Sequence, residues 1–346
     1  MANHKSPGVY VTEVRSGSAP IAGVGTSTAC FIGFGPDSVQ IESTTLTFPS
    51  VPVLVTNFTE FLASFDQSWV SPASAASTVS TDTTTATNPP APSSGGSHEN
   101  QSNTRPTNTM RFVANAVRGF LSNGGTRCYV YRLNASSVLA SAMDTLAAFD
   151  EVSIIAAPGL TDKNTWDQLS SHASSVMDRV AILDTSERID DFPTKLAPGG
   201  DSVPAKSEYA AMYFPWLQVS DAIDGSLTFV PPSGHIAGVY ARVDAQRGVH
   251  KAPANEPIYG ALDLKYAIST AKQDGLNPHG VNCIRKLNGA IQIWGARTVG
   301  GDDNGEFKYI STRRLFNYLR ESIKRGTQWA VFEPNDANLW AKLTRN

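Results

Sequence analysis

Thr109 to Leu133, TMRFVANAVRGFLSNGGTRCYVYRL, decides the fold class. Met110, Val113, Ala114, Val117, Phe120 and Leu121 recur at spacings of three and four, the period of one buried helical face. Asn108 or Thr109 serves as the N-cap, and Asn123-Gly124-Gly125 ends the helix. Arg127 to Leu133 then reads as a buried strand. The alternation continues with a helix carrying Val138, Leu139, Ala142, Met143, Leu146 and Phe149, a strand Val152 to Ala157, a helix from about Thr165 to Asp178, and a strand Val180 to Asp184. Apolar strands separated by helices pair in parallel, so the expected class is α/β, mixed with α+β.

Upstream, Thr28 to Phe34 is a further buried strand, and Val9, Tyr10, Val11, Thr12, Glu13 and Val14 alternate like a strand behind Pro7. Between Val70 and Met110 the one large apolar residue is Val79 in a Ser/Thr/Pro/Gly-rich tract, read as a low-complexity mobile insertion over residues 66 to 108. Downstream, the expectations are an aromatic strand at Tyr209 to Val219, a helix near Asn255 to Ala267, strand pairs at Gly289 to Thr298 and Phe307 to Thr312, and a helix from Thr312 to about Arg325. A last helix starts at Asn335 or Asp336. It reaches Asn346 without a C-cap, so the sequence reads as cut in mid-element.

Composition narrows the function. A net charge of -3 with no long Lys/Arg run disfavours nucleic acid as a partner. No apolar run is long enough to cross a bilayer, so direct membrane insertion is not expected. Cys30, Cys128 and Cys283 are too far apart in sequence for a zinc knuckle and suggest no disulfide framework. Gly23-Val-Gly25 lacks the third glycine of a dinucleotide fingerprint, Asp302-Asp303-Asn304-Gly305 reads as a hairpin turn, and His235, His250 and Glu256 read as loop-organising groups. No catalytic, metal or cofactor-binding residue is expected.

Three N-terminal segments resemble landmarks of the phage tail sheath family: Pro7-Gly-Val-Tyr-Val-Thr-Glu-Val14, Phe31-Ile-Gly-Phe-Gly-Pro36 and Asn123-Gly-Gly-Thr-Arg-Cys-Tyr-Val-Tyr-Arg132. The resemblance is denser toward the C-terminus. It runs through Pro231-Pro-Ser-Gly-His-Ile-Ala-Gly-Val-Tyr-Ala-Arg242, Arg247-Gly-Val-His-Lys-Ala-Pro-Ala-Asn-Glu256, Leu276-Asn-Pro278, Trp294-Gly-Ala-Arg-Thr298, Arg313-Arg-Leu-Phe-Asn317 and Gly326-Thr-Gln-Trp-Ala-Val-Phe-Glu-Pro-Asn335. It spans the chain apart from residues 66 to 108, and the length resembles the phage-tail-like extracellular type.

The resemblance implies a multi-domain sheath fold with a discontinuous core domain and an outer inserted domain. The expected division is an N-terminal linker arm (1–20), an outer or middle α/β part (21–65 and 109–230), the insertion (66–108) and a C-terminal core (231–346) that family members extend with a C-terminal arm. It implies a non-enzymatic subunit that forms stacked hexameric rings with itself around an inner tube protein and contracts without nucleotide hydrolysis. Baseplate and tail terminator proteins are the other partners. Assembly is expected in the bacterial cytoplasm, within a phage tail or tail-like particle released by lysis. Val9 to Val14 would add a strand to a neighbouring subunit. The helix from Thr312 would anchor Leu315, Phe316, Leu319 and Ile323 in the core and turn Arg313, Arg320, Lys324 and Arg325 to the tube. The alternatives are a Rossmann-like enzyme and a glycan-binding tail or fibre module.

Overall fold

In a computed structural model that describes residues 21–36, 38–41, 44–65, 109–134, 139–197, 200 and 202–345, those residues form fourteen strands and nine α-helices. The order is β1 (Ala29–Phe34), β2 (Ser38–Ile41), β3 (Thr44–Thr47), β4 (Val53–Val55), α1 (Phe58–Ser64), α2 (Met110–Ser122), β5 (Cys128–Leu133), α3 (Leu139–Leu146), β6 (Ile154–Ala156), α4 (Lys163–Val176), β7 (Val180–Asp184), α5 (Phe192–Lys195), β8 (Ala210–Phe214), β9 (Leu217–Ser220) and β10 (Leu227–Val230). Then come α6 (Ser233–Arg247), β11 (Glu256–Pro257), β12 (Asp263–Leu264), α7 (Thr270–Leu276), β13 (Val281–Leu287), β14 (Ala290–Ile293), α8 (Ile310–Thr327) and α9 (Ala337–Arg345). The strand expected at Val9 to Val14 and the insertion 66 to 108 lie outside the described residues.

One sheet organises the larger of two units, with strand order β11-β14-β13-β8-β7-β6-β1-β5-β4. From β5 through β1, β6, β7 and β8 to β13 the pairing is parallel, as the apolar alternation predicts. Each of these strands is buried on both faces because successive side chains alternate. Phe31, Val130, Ile154, Ile182 and Tyr213 join one core. Ile32, Tyr131, Ile155, Leu183 and Met212 join the other, covered by α3 and α4. Full burial of a side chain such as Phe31 stabilises the fold by roughly 1.5–3 kcal/mol. Cys128 and Cys30 belong to opposite cores, so the strand pleat itself separates the two thiols.

The first core is closed by α2 and α6, which lie unusually near each other. A Cβ on Gly234 would fall 2.3 Å from the Ala116 Cα, and one on Gly238 would fall 2.5 Å from the Phe120 carbonyl oxygen. These glycines are therefore packing residues. The same glycines, beside Pro231 and Pro232, make the segment look loop-like in sequence, and the helix α6 was not expected. Asn123 adds a polar tie: its Nδ2 donates to the Tyr259 carbonyl at 2.9 Å and its Oδ1 accepts from the Tyr259 N–H at 2.8 Å.

Three expected elements differ. Residues 255–267 form β11 and β12, not a helix, because Pro257 and the left-handed Gly260 favour extended edge pairing. Residues 307–312 are not a strand: Gly301–Phe307 winds into 3-10 turns, Tyr309 makes a single bridge with Arg297, and α8 begins at Ile310. The partner of β14 is instead β13, whose Arg285 and Lys286 masked its strand pattern. Tyr209 to Val219 splits into β8 and β9 at a cis Phe214–Pro215 bond. Two smaller sheets, β10-β9-β12 and the hairpin β2-β3, also belong to this unit.

The larger unit covers Gly25–Asn317; the smaller one comprises the described residues up to Val24 and those from Tyr318 onward. Within the smaller unit, Val24 N–H donates to Ser322 Oγ at 3.2 Å. A Cβ on Gly23 would meet the Tyr318 hydroxyl at 2.3 Å, and one on Gly326 would meet Ile21 at 2.7 Å.

Candidate functional site

Helix α8 carries four residues expected to face a tube, and its sequence, ISTRRLFNYLRESIKRGT, has a clear amphipathic period. The helix forms where the period predicts, but its burial is inverted. Arg313, Arg314, Asn317, Glu321 and Ser322 are buried, while Phe316, Leu319 and Ile323 are 49%, 44% and 53% exposed. The expected apolar anchor is thus the open face. Polar residues can be the buried side because each finds a partner, which removes the cost of desolvating them.

Arg313 shows how. Its Nη1 pairs with Glu208 Oε1 at 2.8 Å and its Nε donates to Asn317 Oδ1 at 3.1 Å. The guanidinium lies 4.5 Å from the Tyr209 ring centroid and 4.1 Å from that of Phe307. Asn317 Nδ2 in turn donates to the Arg179 carbonyl at 3.2 Å. Arg313 is consequently a cation held inside the fold, which corrects its expected presentation to a partner.

Arg320, Lys324 and Arg325 are exposed. Glu321 sits among them, accepting from Arg325 Nε at 2.7 Å and lying 3.5 Å from Lys324 Nζ. Burial pushes the Glu321 carboxyl up, but the Arg325 bond and the Lys324 charge outweigh it and hold the group below its ordinary value. The exposed end of α8 therefore offers an apolar stripe flanked by partly compensated positive charge.

Arg314 was not singled out by sequence, because a charged residue on a helix gives no signal of burial. It reaches Asp244 of α6: Nη1 donates to Oδ1 at 2.9 Å, Nη2 bonds Oδ2, and Nη2 also donates to the Thr26 carbonyl at 3.0 Å. Thr26 Oγ1 completes the set by donating to Asp244 Oδ2 at 2.6 Å. The guanidinium lies 4.6 Å from the centroid of Tyr240, whose hydroxyl is 2.7 Å from that of Tyr213. Burial pushes the Tyr240 phenol up to about 12, so the tyrosine pair stays neutral and Asp244 is the counter-charge.

Nothing in the described residues groups three His, Cys, Asp or Glu side chains as a metal would require. His235 is buried in α6 against Gly119, and Glu256 pairs with Lys251 at 3.3 Å. Among the described residues, no helix is long and apolar enough to cross a membrane.

Comparison with known proteins places this architecture. Residues 138–299 match the phage tail sheath protein central domain and residues 302–346 the phage tail sheath C-terminal domain. A protein of Pseudomonas aeruginosa (strain UCBPP-PA14) named as a prophage major tail sheath protein is 24% identical over 230 residues, covering 64% of this chain and 55% of its own length. The tail sheath protein of Enterobacteria phage T4 is 32% identical over 113 residues, 32% of this chain and 17% of its own. The chain spans about half the length of the P. aeruginosa relative. The anti-feeding prophage helical sheath in its contracted state superposes over 99% of this chain and 81% of that one, with a TM-score of 0.67 and 26% identity. The sheath complex of an extracellular contractile injection system, PVC, in its contracted state shares the fold at a TM-score of 0.67 and 24% identity, over 99% of this chain and 80% of that one. With the two domain matches together taking in more than half of its residues, the chain belongs to the phage tail sheath family.

Proposed function

We propose that this chain is the structural subunit of a contractile sheath, polymerising as stacked hexameric rings around an inner tube and contracting to drive that tube through a target envelope. The observation that carries the reading is the correspondence of 99% of the chain with a helical sheath in its contracted state. The work is mechanical and needs no catalytic group. Contraction is then a rigid-body transition between two packings of the same subunit, with the extended packing held metastable by the tube and by baseplate and terminator proteins.

Residues 9–14 supply the strand that links one subunit to the next, a mode of association that preserves connection while bodies rotate. The insertion at residues 66–108 faces outward. Arg320, Lys324 and Arg325 are the charges available to a tube from α8. Such particles assemble in the bacterial cytoplasm and leave by lysis.

Negative-stain electron microscopy of the full chain, alone and co-expressed with its tube protein, tests this. Hollow cylinders with a six-fold cross-section are expected. A full chain that remains monomeric with its tube would overturn the proposal.

A further inference from the structure

The sequence holds three Asn-Gly pairs, beginning at Asn123, Asn288 and Asn304. Asparagine is a labile residue, and a following glycine exposes it most, because no side chain shields the glycine nitrogen that can attack the preceding carboxamide. Whether the attack occurs in a folded chain depends on what holds that carboxamide and that nitrogen.

Two of the sites are locked. Asn123 Nδ2 donates to the carbonyls of Gly119 and Tyr259, both at 2.9 Å, and its Oδ1 accepts from the Tyr259 N–H at 2.8 Å. The Gly124 N–H is also used, donating to the Leu121 carbonyl. Asn304 Nδ2 donates to Thr298 Oγ1 and to the Val299 carbonyl, both at 2.7 Å. Asn288 differs: it is exposed, and neither its carboxamide nor the Gly289 N–H forms a hydrogen bond with another of the described residues.

The hairpin explains this freedom. Leu287 and Ala290 are the last pair of the β13–β14 ladder, which leaves Asn288 and Gly289 as a two-residue loop with φ of 50° and 81°. Positive φ at both positions is what a type I′ turn requires, and Asn-Gly is its preferred pair. A Cβ on Gly289 would have nothing within 4 Å, so the carboxamide can swing onto the glycine nitrogen without displacing a neighbour.

We propose that Asn288 is the site at which the folded chain deamidates. The Gly289 nitrogen forms a bond to Asn288 Cγ and gives up its proton, while the Cγ–Nδ2 bond breaks and Nδ2 leaves with that proton as ammonia. Water then opens the succinimide so formed. Addition at Cγ yields aspartate; addition at the main-chain carbonyl yields isoaspartate, whose chain runs through Cγ and is one methylene longer. No oxidant or reductant takes part. The longer unit does not fit a two-residue turn, so the Leu287–Ala290 pair should open. The Ile284–Ile293 pair should stay closed, because both side chains are fully buried and the two strands are held from outside by β8 and β11.

Trypsin separates the three sites, releasing residues 119–127, 287–297 and 298–308, each with a single asparagine. The full chain is incubated at mildly alkaline pH, folded in buffer and unfolded in urea, until the urea sample has reacted, and peptide masses are compared with unincubated protein. In urea all three peptides should deamidate. In buffer 287–297 should still do so, with the other two at least about tenfold slower, since each must first break several hydrogen bonds. Folded protein carrying isoaspartate should also show faster hydrogen exchange at residues 287–290, with 281–284 unchanged. Deamidation of 119–127 or 298–308 in buffer as fast as 287–297 would overturn the proposal, as would a 287–297 peptide that reacts in urea and not in buffer. Unchanged exchange at 287–290 would overturn the opening of the turn.

Discussion

Ser233 donates to Asp184 twice, through its N–H at 2.9 Å and its hydroxyl at 2.6 Å, fastening the start of α6 to the end of β7. Burial nevertheless pushes the Asp184 carboxyl from 3.8 up to about 7, against the downward pull of the Ser233 bonds. A carboxyl raised in the folded state favours the protonated fold, so this contribution is complete below about pH 4 and is lost as pH climbs through about 7. The full shift corresponds to up to about 4 kcal/mol. Urea unfolding of Asp184→Asn across this window should show a flatter pH profile than wild type; identical slopes would refute the assignment.

Arg313 is held between Tyr209 and Phe307 and paired with Glu208. Arg313→Ala is expected to cost about 2–4 kcal/mol, from lost stacking together with the lost charge pair. Arg313→Lys should rescue little, because an ammonium cannot stack flat between two rings. Thermal melts of the two variants decide it, and a lysine variant as stable as wild type would argue against the stacked geometry.

The open stripe of α8 makes the opposite prediction. Phe316→Gln, Leu319→Gln and Ile323→Gln together remove exposed apolar surface, so subunit stability should stay within about 0.5 kcal/mol per site. Polymer formation should be lost if the stripe is covered in the assembly, as exposed apolar patches generally are. Sedimentation and denaturant unfolding on the same preparation separate the two effects.

Reversing the charges of Arg320 and Lys324 to Glu probes the flank of that stripe. Co-sedimentation with the tube protein should weaken, and the remaining binding should depend less on salt. Unchanged tube binding at low salt would remove these residues from the tube-facing role.

Gly238→Ala would place a methyl 2.5 Å from the Phe120 carbonyl oxygen and is expected to destabilise by about 1–3 kcal/mol. Gly275→Ala is the contrasting case: it lies in α7 with open space around it and should be neutral or stabilising by up to about 1 kcal/mol. Paired unfolding curves would show whether close helix approach or helix propensity governs α6.

The alternation from Thr109 to Asp184 was legible because burial on both sheet faces demands continuous apolar strands, and covering helices must repeat at three and four. The α6 segment was not legible. Its Pro231, Pro232, Gly234 and Gly238 carry the local signature of a loop, and only the near contact with Ala116 and Phe120 turns small residues into a helix-packing requirement. Arg285 and Lys286 similarly hid β13, because pairing with β14 supplies order that its side-chain pattern does not advertise.

By itself the sequence determined the α/β layering and the presence of an amphipathic helix around Arg313 to Lys324, since each follows from local period and spacing. Tertiary structure alone decided which side of that helix is buried. Period fixes two faces but not their direction, and the polar face turned inward because Glu208 and Asp244 stand where Arg313 and Arg314 can be neutralised. Those partners are distant in sequence, and a charge is cheap to bury only when its counter-charge is already in place.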